Sequence, residues 1–191
     1  MNTEHLVCDL VVVGSGASGL TSALTAASLG LDVIVIEKEA QFGGTSAWSG
    51  GWMWIPRNPL AREAGIDEPL ERPLNYLRHE LGPQFDEAMA RRFLEQGPQM
   101  VSFLRDDAGL KFVDGNRIPD FHDKTQDAGL GGRSLCSAPF DGRMLGERLK
   151  DLREPLDEVS PFGMGIASGL DLKNFLDAFL KPKAFWHVAK R

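Results

Sequence analysis

The feature that most constrains this chain is a glycine spacing, Gly14-Ser15-Gly16-Ala17-Ser18-Gly19, set between two short apolar runs. Asp9–Val13 (DLVVV) is rich in β-branched residues and reads as a strand buried on both faces. Leu20–Leu29 has Leu20, Ala23, Leu24 and Ala27 at helical spacing, and Gly30 can end that helix in a left-handed conformation. Asp32–Ile36 (DVIVI) reads as a second buried strand, with Glu37 at its C-terminal end. The segment is therefore a β-α-β unit of about 30 residues. Its glycines have separate tasks. Gly14 permits a tight turn, Gly16 lets the backbone approach a diphosphate, and Gly19 lets the helix pack closely on the strand. The bare N–H groups and positive dipole end of the helix would hold the phosphates.

Glu37 follows the last glycine at the offset expected of an acid that accepts from an adenosine ribose. A 2′-phosphate would meet its charge, which disfavours NADP and leaves NAD and FAD. The next segment separates these two. Gly43-Gly44-Thr45-Ser46 and Ser49-Gly50-Gly51 form a second glycine-rich loop with hydroxyls. Such a loop suits a long cofactor whose ribityl chain and ring pass close to backbone, and NAD enzymes have no general need of it. Trp48, Trp52 and Trp54 read first as core packing and second as walls of a flavin or apolar substrate site.

The rest of the chain is less regular. Residues 41–56 show neither helical nor strand period and read as a loop. Helices are expected over Pro59–Gly65, Leu70–Leu81 (Pro73 in its first turn) and Phe85–Asp107, where Gly97-Pro98 breaks or kinks the last. Leu110–Val113 is a candidate strand. Residues 114–142 read as irregular, with no convincing buried strand after 114. Met144–Leu152 and Leu170–Leu180 read as helical, and AFWHVAKR as an end without a closing element.

Composition excludes more than it assigns. The 191 residues are 42% hydrophobic and 25% charged, which is ordinary for a globular chain and not for a disordered one. The net charge of −6 argues against a nucleic-acid partner. Cys8 and Cys136 lack zinc or redox spacing, and no metal site is expected. Neither a signal peptide nor an apolar run long enough to span a membrane is present, so a cytoplasmic location is expected.

VVVGSGASGL, followed by VIEKEAQFGGTSAWSGGWMWIP and later GRSLCSAPFDGRMLG, resembles flavoproteins of the fumarate reductase and 3-ketosteroid dehydrogenase superfamily. GGTSAWSGG with WMWIP is most similar to the ketosteroid dehydrogenase side. The resemblance implies an α/β fold: a Rossmann-like FAD-binding domain with a β-α-β start, incomplete, and a largely helical or irregular continuation. Residues 1–56 would be the core of that domain. Residues 57–191 would continue it towards a missing substrate or cap domain. FAD would be held noncovalently, since residues 41–56 contain no histidine for attachment. Gly14, Ser15, Gly16, Ala17, Ser18, Gly19, Glu37, Lys38, Gly43, Gly44, Thr45, Ser46, Ser49, Gly50 and Gly51 would line it.

The implied activity is hydride transfer to or from flavin N5 at a carbon–carbon bond next to a carbonyl, on a hydrophobic ene or keto substrate with an unknown electron acceptor. In the ketosteroid enzymes tyrosines do the acid–base work. Here Phe121 falls on the first such position, and the only tyrosine, Tyr76, lies in an expected helix away from it. Asp120 and His122 are adjacent substitutes, although surface residues are the plainer reading. Arg133 and Arg143 are candidates for a diphosphate or a carboxylate, although solvated arginines are the plainer reading. Relatives are more than twice as long, so a fragment of a larger flavoprotein is expected. The competing readings are a truncated, non-catalytic FAD-binding piece and an NAD-dependent dehydrogenase.

Overall fold

The computed structural model describes residues 5–160 and 170–190. In chain order its elements are β1 (Leu10–Val13), α1 (Ala17–Ser28), β2 (Val33–Ile36), β3 (Trp52–Trp54), α2 (Pro59–Glu63), α3 (Glu71–Leu81) and α4 (Glu87–Asp106). There follow β4 (Phe112–Asp114), β5 (Ser134–Ser137), α5 (Leu170–Asp177) and α6 (Pro182–Ala189). They form two compact units: residues 1–50 with 140–191, and residues 51–139. The boundary read at residue 56 falls inside the second unit.

The first unit opens with the β-α-β segment. β1 and β2 pair in parallel, Leu10 opposite Val33 through Val13 opposite Ile36. Gly30 ends α1 at φ +84: its N–H donates to the Ala27 carbonyl, and the Leu31 N–H donates to the Ala26 carbonyl. These two bonds satisfy carbonyls that the helix leaves open. The strands are not buried on both faces as expected. Only Val12 of β1 is buried, while Val11, Val13 and Ile36 are exposed. Two strands and one helix cannot cover both faces of the ribbon. Met144–Leu152, expected as helical, falls largely in 3₁₀ turns over Gly142–Asp151 that are interrupted at Gly146, whose φ is +55. The C-terminal stretch, expected to lack a closing element, forms α6 behind Pro182.

The second unit holds an antiparallel sheet in the order β3-β5-β4. Trp52 and Val113 both lie opposite Cys136 of the central strand. β3 and β5 correct the reading of residues 41–56 as a loop and of residues 114–142 as irregular. β5 is a buried strand after residue 114, with Leu135 fully buried. Its short run SLCS gave no alternating pattern long enough to detect.

One core cluster joins Ile55, Val101 and Leu135, and another joins Leu74, Ala90 and Leu94. α4 supplies both through a helical stripe of Ala90, Leu94, Gly97, Pro98, Val101 and Leu104. α4 is not broken at Gly97-Pro98. An interior proline costs roughly 3 kcal/mol, and burial of this stripe offsets it. At Gly97 a Cβ would sit 3.1 Å from Ile55 Cγ2, so a side chain there would press on Ile55.

Asn58, 1% exposed, ties the second unit together. Its Oδ1 accepts from the Ala61 N–H and caps α2, and its Nδ2 donates to the Ile55 and Gly132 carbonyls. Asn58→Ala removes the cap and strands two buried carbonyls. Urea denaturation of the variant is expected to show a loss of about 2–3 kcal/mol; a loss within experimental error would contradict this role.

Candidate functional site

In the first unit the two glycine loops abut. The Gly43 N–H donates to the Ser15 carbonyl and to Ser15 Oγ. A Cβ on Gly44 would lie 3.3 Å from Gly16 Cα, so the loops meet backbone to backbone. Gly19 fulfils its packing role: a Cβ there would lie 2.0 Å from the Gly14 carbonyl oxygen. Gly16 is different. Its Cβ would meet only Ser46 Oγ, at 3.5 Å, so the space above it is open.

The amides at the start of α1 divide into two sets. The Ser15 N–H donates to Glu37 Oε2 at 2.9 Å, and the Ala17 N–H donates to Ser46 Oγ at 3.0 Å. The N–H groups of Gly16, Ser18 and Gly19 meet no acceptor among the described residues. Three unmatched donors at a helix N-terminus form an anion-binding surface. A dinucleotide diphosphate fits this cradle: it is open above Gly16, and it is bare at three amides.

Glu37 is engaged before any ligand arrives. Ser15 Oγ and the Ser15 N–H donate to Oε2, and the Glu39 N–H donates to Oε1. The Ser15 hydroxyl, then the Ser15 amide, lower the Glu37 pKa from 4.5 to about 2. A carboxylate has about four acceptor positions, so capacity for ribose hydroxyls remains. Lys38 is exposed and 3.7 Å from Glu39. Thr45 and Ser46 are exposed in the 3₁₀ turn Gly44–Trp48. The Ser49 N–H donates to the Ser46 carbonyl, Gly50 closes the first unit, and Gly51 belongs to the second. Trp48 lies under the Arg153 guanidinium at 4.4 Å, and its Nε1–H donates to the Glu154 carbonyl. No local pattern announced the capping of α1 by Ser46, because its partner lies 29 residues away.

The second unit contains a largely apolar cavity of about 350 Å³, walled by Trp52, Trp54, Leu77 and Ile118. Tyr76, Glu80, Asp120 and Phe121 also line it. This corrects the placement of Tyr76 away from the Phe121 segment. Tyr76 and Glu80 stand one turn apart on α3, and that spacing was the available signal.

Asp120 is a buried structural partner and no free acid. Its Oδ1 accepts from Trp54 Nε1–H, and its Oδ2 accepts from the Gly129 N–H and from Arg133. Arg133, 1% exposed, is also gripped through Nε and Nη2 by Glu68. It is therefore not the solvated arginine of the plainer reading, and its charge is already taken by two carboxylates. Burial works against its charge, but Glu68 and Asp120 outweigh this and keep it protonated. Arg143 is exposed and paired with Asp141. His122 is exposed and pairs through Nδ1 with Glu80, which also accepts from Thr125 Oγ1. Phe121 is 98% exposed and Cys136 is buried in β5. Cys8 is half-buried.

The fold and cradle define a dinucleotide-binding protein of the flavin type. The family model described as FAD binding domain matches residues 9–178, and the chain belongs to that family. Its cofactor is FAD, which sets aside the NAD reading. The chain is 35% identical over 188 residues to a 4-oxocyclohex-2-ene-1-carboxylate 5-dehydrogenase of Sinomonas cyclohexanicum, covering 98% of this chain and 32% of that protein. It is 37% identical over 151 residues to a 3-oxosteroid 1-dehydrogenase of Mycolicibacterium smegmatis, covering 79% and 26%. The crystal structure of 3-ketosteroid delta1-dehydrogenase from Sterolibacterium denitrificans, in complex with 1,4-androstadiene-3,17-dione, superposes with a TM-score of 0.81 at 32% identity. That match covers 96% of this chain and 32% of the other. The chain thus spans about a third of the length of these relatives. Among the described residues no helix is long and apolar enough to cross a membrane.

Two outcomes test this site. Gly16→Val is expected to leave the melting temperature nearly unchanged yet abolish FAD binding, read by quenching of flavin fluorescence. Gly19→Ala drives a Cβ into backbone and is expected to lower the melting temperature instead; the reverse pattern would contradict the placement of the loop. The Glu37 interaction with Ser15 belongs to the charged carboxylate, whose folded pKa is depressed. It is therefore fully present above pH 4.5 and is lost as pH falls towards about 2. Carboxyl-carbon NMR is expected to show Glu37 titrating in the lower part of that window, whereas a midpoint near 4.5 would remove the interaction.

Proposed function

We propose that this chain is the cofactor-holding part of an FAD-dependent oxidoreductase that moves hydride at a carbon–carbon bond next to a carbonyl. The β-α-β start is read as the first unit of a Rossmann-like domain. The observation that carries the proposal is the set of bare amides at Gly16, Ser18 and Gly19, beside a second loop packed against the first. When bound, FAD supplies the hydride-accepting ring, which is chemistry that no side chain offers.

The chain's own residues hold the cofactor. The free amides bind the diphosphate, and Ser46 fixes the start of α1 by occupying the Ala17 N–H. Glu37, ionised throughout the neutral range, accepts from the adenosine ribose. Thr45, Ser49, Gly50 and Lys38 extend the site along the second loop. The substrate is a hydrophobic ring ketone or enone, supported by the names of the relatives and by the aromatic cavity of the second unit.

Purified protein freed of cofactor is the material for the test. Titration with FAD and with NADH, side by side, is expected to return a visible flavin band on the protein with FAD and no saturable binding of NADH. Protein that binds NADH and leaves FAD in the filtrate would refute the proposal.

A further inference from the structure

One buried hydroxyl joins separate parts of the cradle, and its role rests on the flavin reading above. Ser15 is 2% exposed. Its O–H donates to Glu37 Oε2, and the same oxygen accepts from the Gly43 N–H at 3.1 Å. The backbone repeats both links. The Ser15 N–H donates to Glu37 Oε2 at 2.9 Å, and the Ser15 carbonyl accepts from the Gly43 N–H at 3.2 Å. The two partners come from different parts of the chain. Glu37 ends the second strand, and Gly43, in a left-handed conformation at φ +116, opens the second glycine loop.

The hydroxyl is spent on these partners. It has one proton, and that proton is on Glu37, so it has none to give to a phosphate. Any effect of Ser15 on a cofactor therefore passes through the groups it holds. At Glu37 it supplies both donors to Oε2, while Oε1 accepts from the Glu39 N–H. Oε1 is thus the oxygen with more capacity left for a ribose hydroxyl. A half-buried glutamate at a strand end would otherwise turn among several rotamers. At Gly43 the same hydroxyl helps to hold the second loop where Gly44 meets Gly16 backbone to backbone.

We propose that Ser15 is a positioning residue for the dinucleotide: its hydroxyl fixes the Glu37 carboxylate for the adenosine ribose and, through the same oxygen, pins the second glycine loop to the first. Ser15→Ala isolates this role. It removes the hydroxyl and keeps the two backbone links, so the loops still meet while the carboxylate and the Gly43 amide lose their shared anchor. The Ser15 hydroxyl is the largest cause of the low Glu37 pKa, and this gives the role a spectroscopic signature.

The test uses the full chain freed of cofactor, with ADP and FAD as probes and calorimetry as the readout of affinity. ADP carries the ribose and the diphosphate without the flavin. Ser15→Ala is expected to weaken ADP and FAD about tenfold, the worth of a hydrogen bond to a charged group, with an unaltered near-ultraviolet circular dichroism spectrum. Ser15→Cys, of similar size and a weaker donor, is expected to fall between serine and alanine. Carboxyl-carbon NMR is expected to show the Glu37 midpoint rising from about 2 towards 4.5 in Ser15→Ala, and the Gly43 amide proton exchanging faster. The decisive comparison is a double-mutant cycle. Glu37→Ala is expected to weaken ADP by itself, and adding Ser15→Ala is expected to weaken it no further, because Ser15 acts on the ribose through Glu37. Unaltered ADP affinity in Ser15→Ala, additive losses in the double variant, or an unmoved Glu37 midpoint would each overturn the inference. Unsubstituted protein that binds ADP and not FAD would instead refute the flavin reading, and the ADP cycle would still decide the role of Ser15.

Discussion

The arrangement at the start of α1 rests on which amides are used and which are left bare. Ser15 gives its N–H to Glu37 and Ala17 gives its own to Ser46, while Gly16, Ser18 and Gly19 keep theirs. The first two bonds hold the turn in place. The remaining donors, unsatisfied in a helix terminus, gain most from a diphosphate, which carries two negative charges. Glycine is required on both sides of this division. At Gly19 a side chain would collide with the Gly14 carbonyl, and at Gly16 it would stand where the phosphates approach. One sequence motif thus encodes a packing constraint and a binding constraint at positions three residues apart.

Residues 9–37 were legible because the pattern is local. Two β-branched runs, a glycine spacing and a terminating Gly30 are each read within a few residues, and the parallel pair and its register follow. α3 and α4 were legible from their apolar spacing, and α4 outlasted its proline because six buried positions hold it. What escaped was non-local. β3 and β5 are three and four residues long, and they are strands because they pair with each other across about eighty residues. The same holds for the site. Ser46, expected along the cofactor, also accepts from the Ala17 N–H at the start of a helix, while Tyr76 and Phe121, far apart in sequence, line one cavity. Asp120 and Arg133 looked like reactive candidates because sequence cannot show that each is buried against the other.

That buried group has consequences of its own. Arg133 with Glu68 and Asp120 places three charges largely out of water, and removing Arg133 would leave two carboxylates without their cation. The network anchors Trp54 through its indole N–H and fixes the segment that carries Phe121. The second unit thus has a rigid charged interior beneath an apolar cavity. The first unit, by contrast, leaves Val11, Val13 and Ile36 exposed on its parallel strands. Two strands alone do not bury such residues, and the relatives are about three times as long as this chain.

The central claim concerns individual amide protons, and amide NMR during an FAD titration observes them directly. The Gly16 and Ser18 amide protons are expected to move downfield and exchange more slowly as FAD saturates, while Ala17, already bonded to Ser46, stays near its starting shift. Saturation with FAD that leaves Gly16 and Ser18 unmoved and shifts other amides instead would contradict the account.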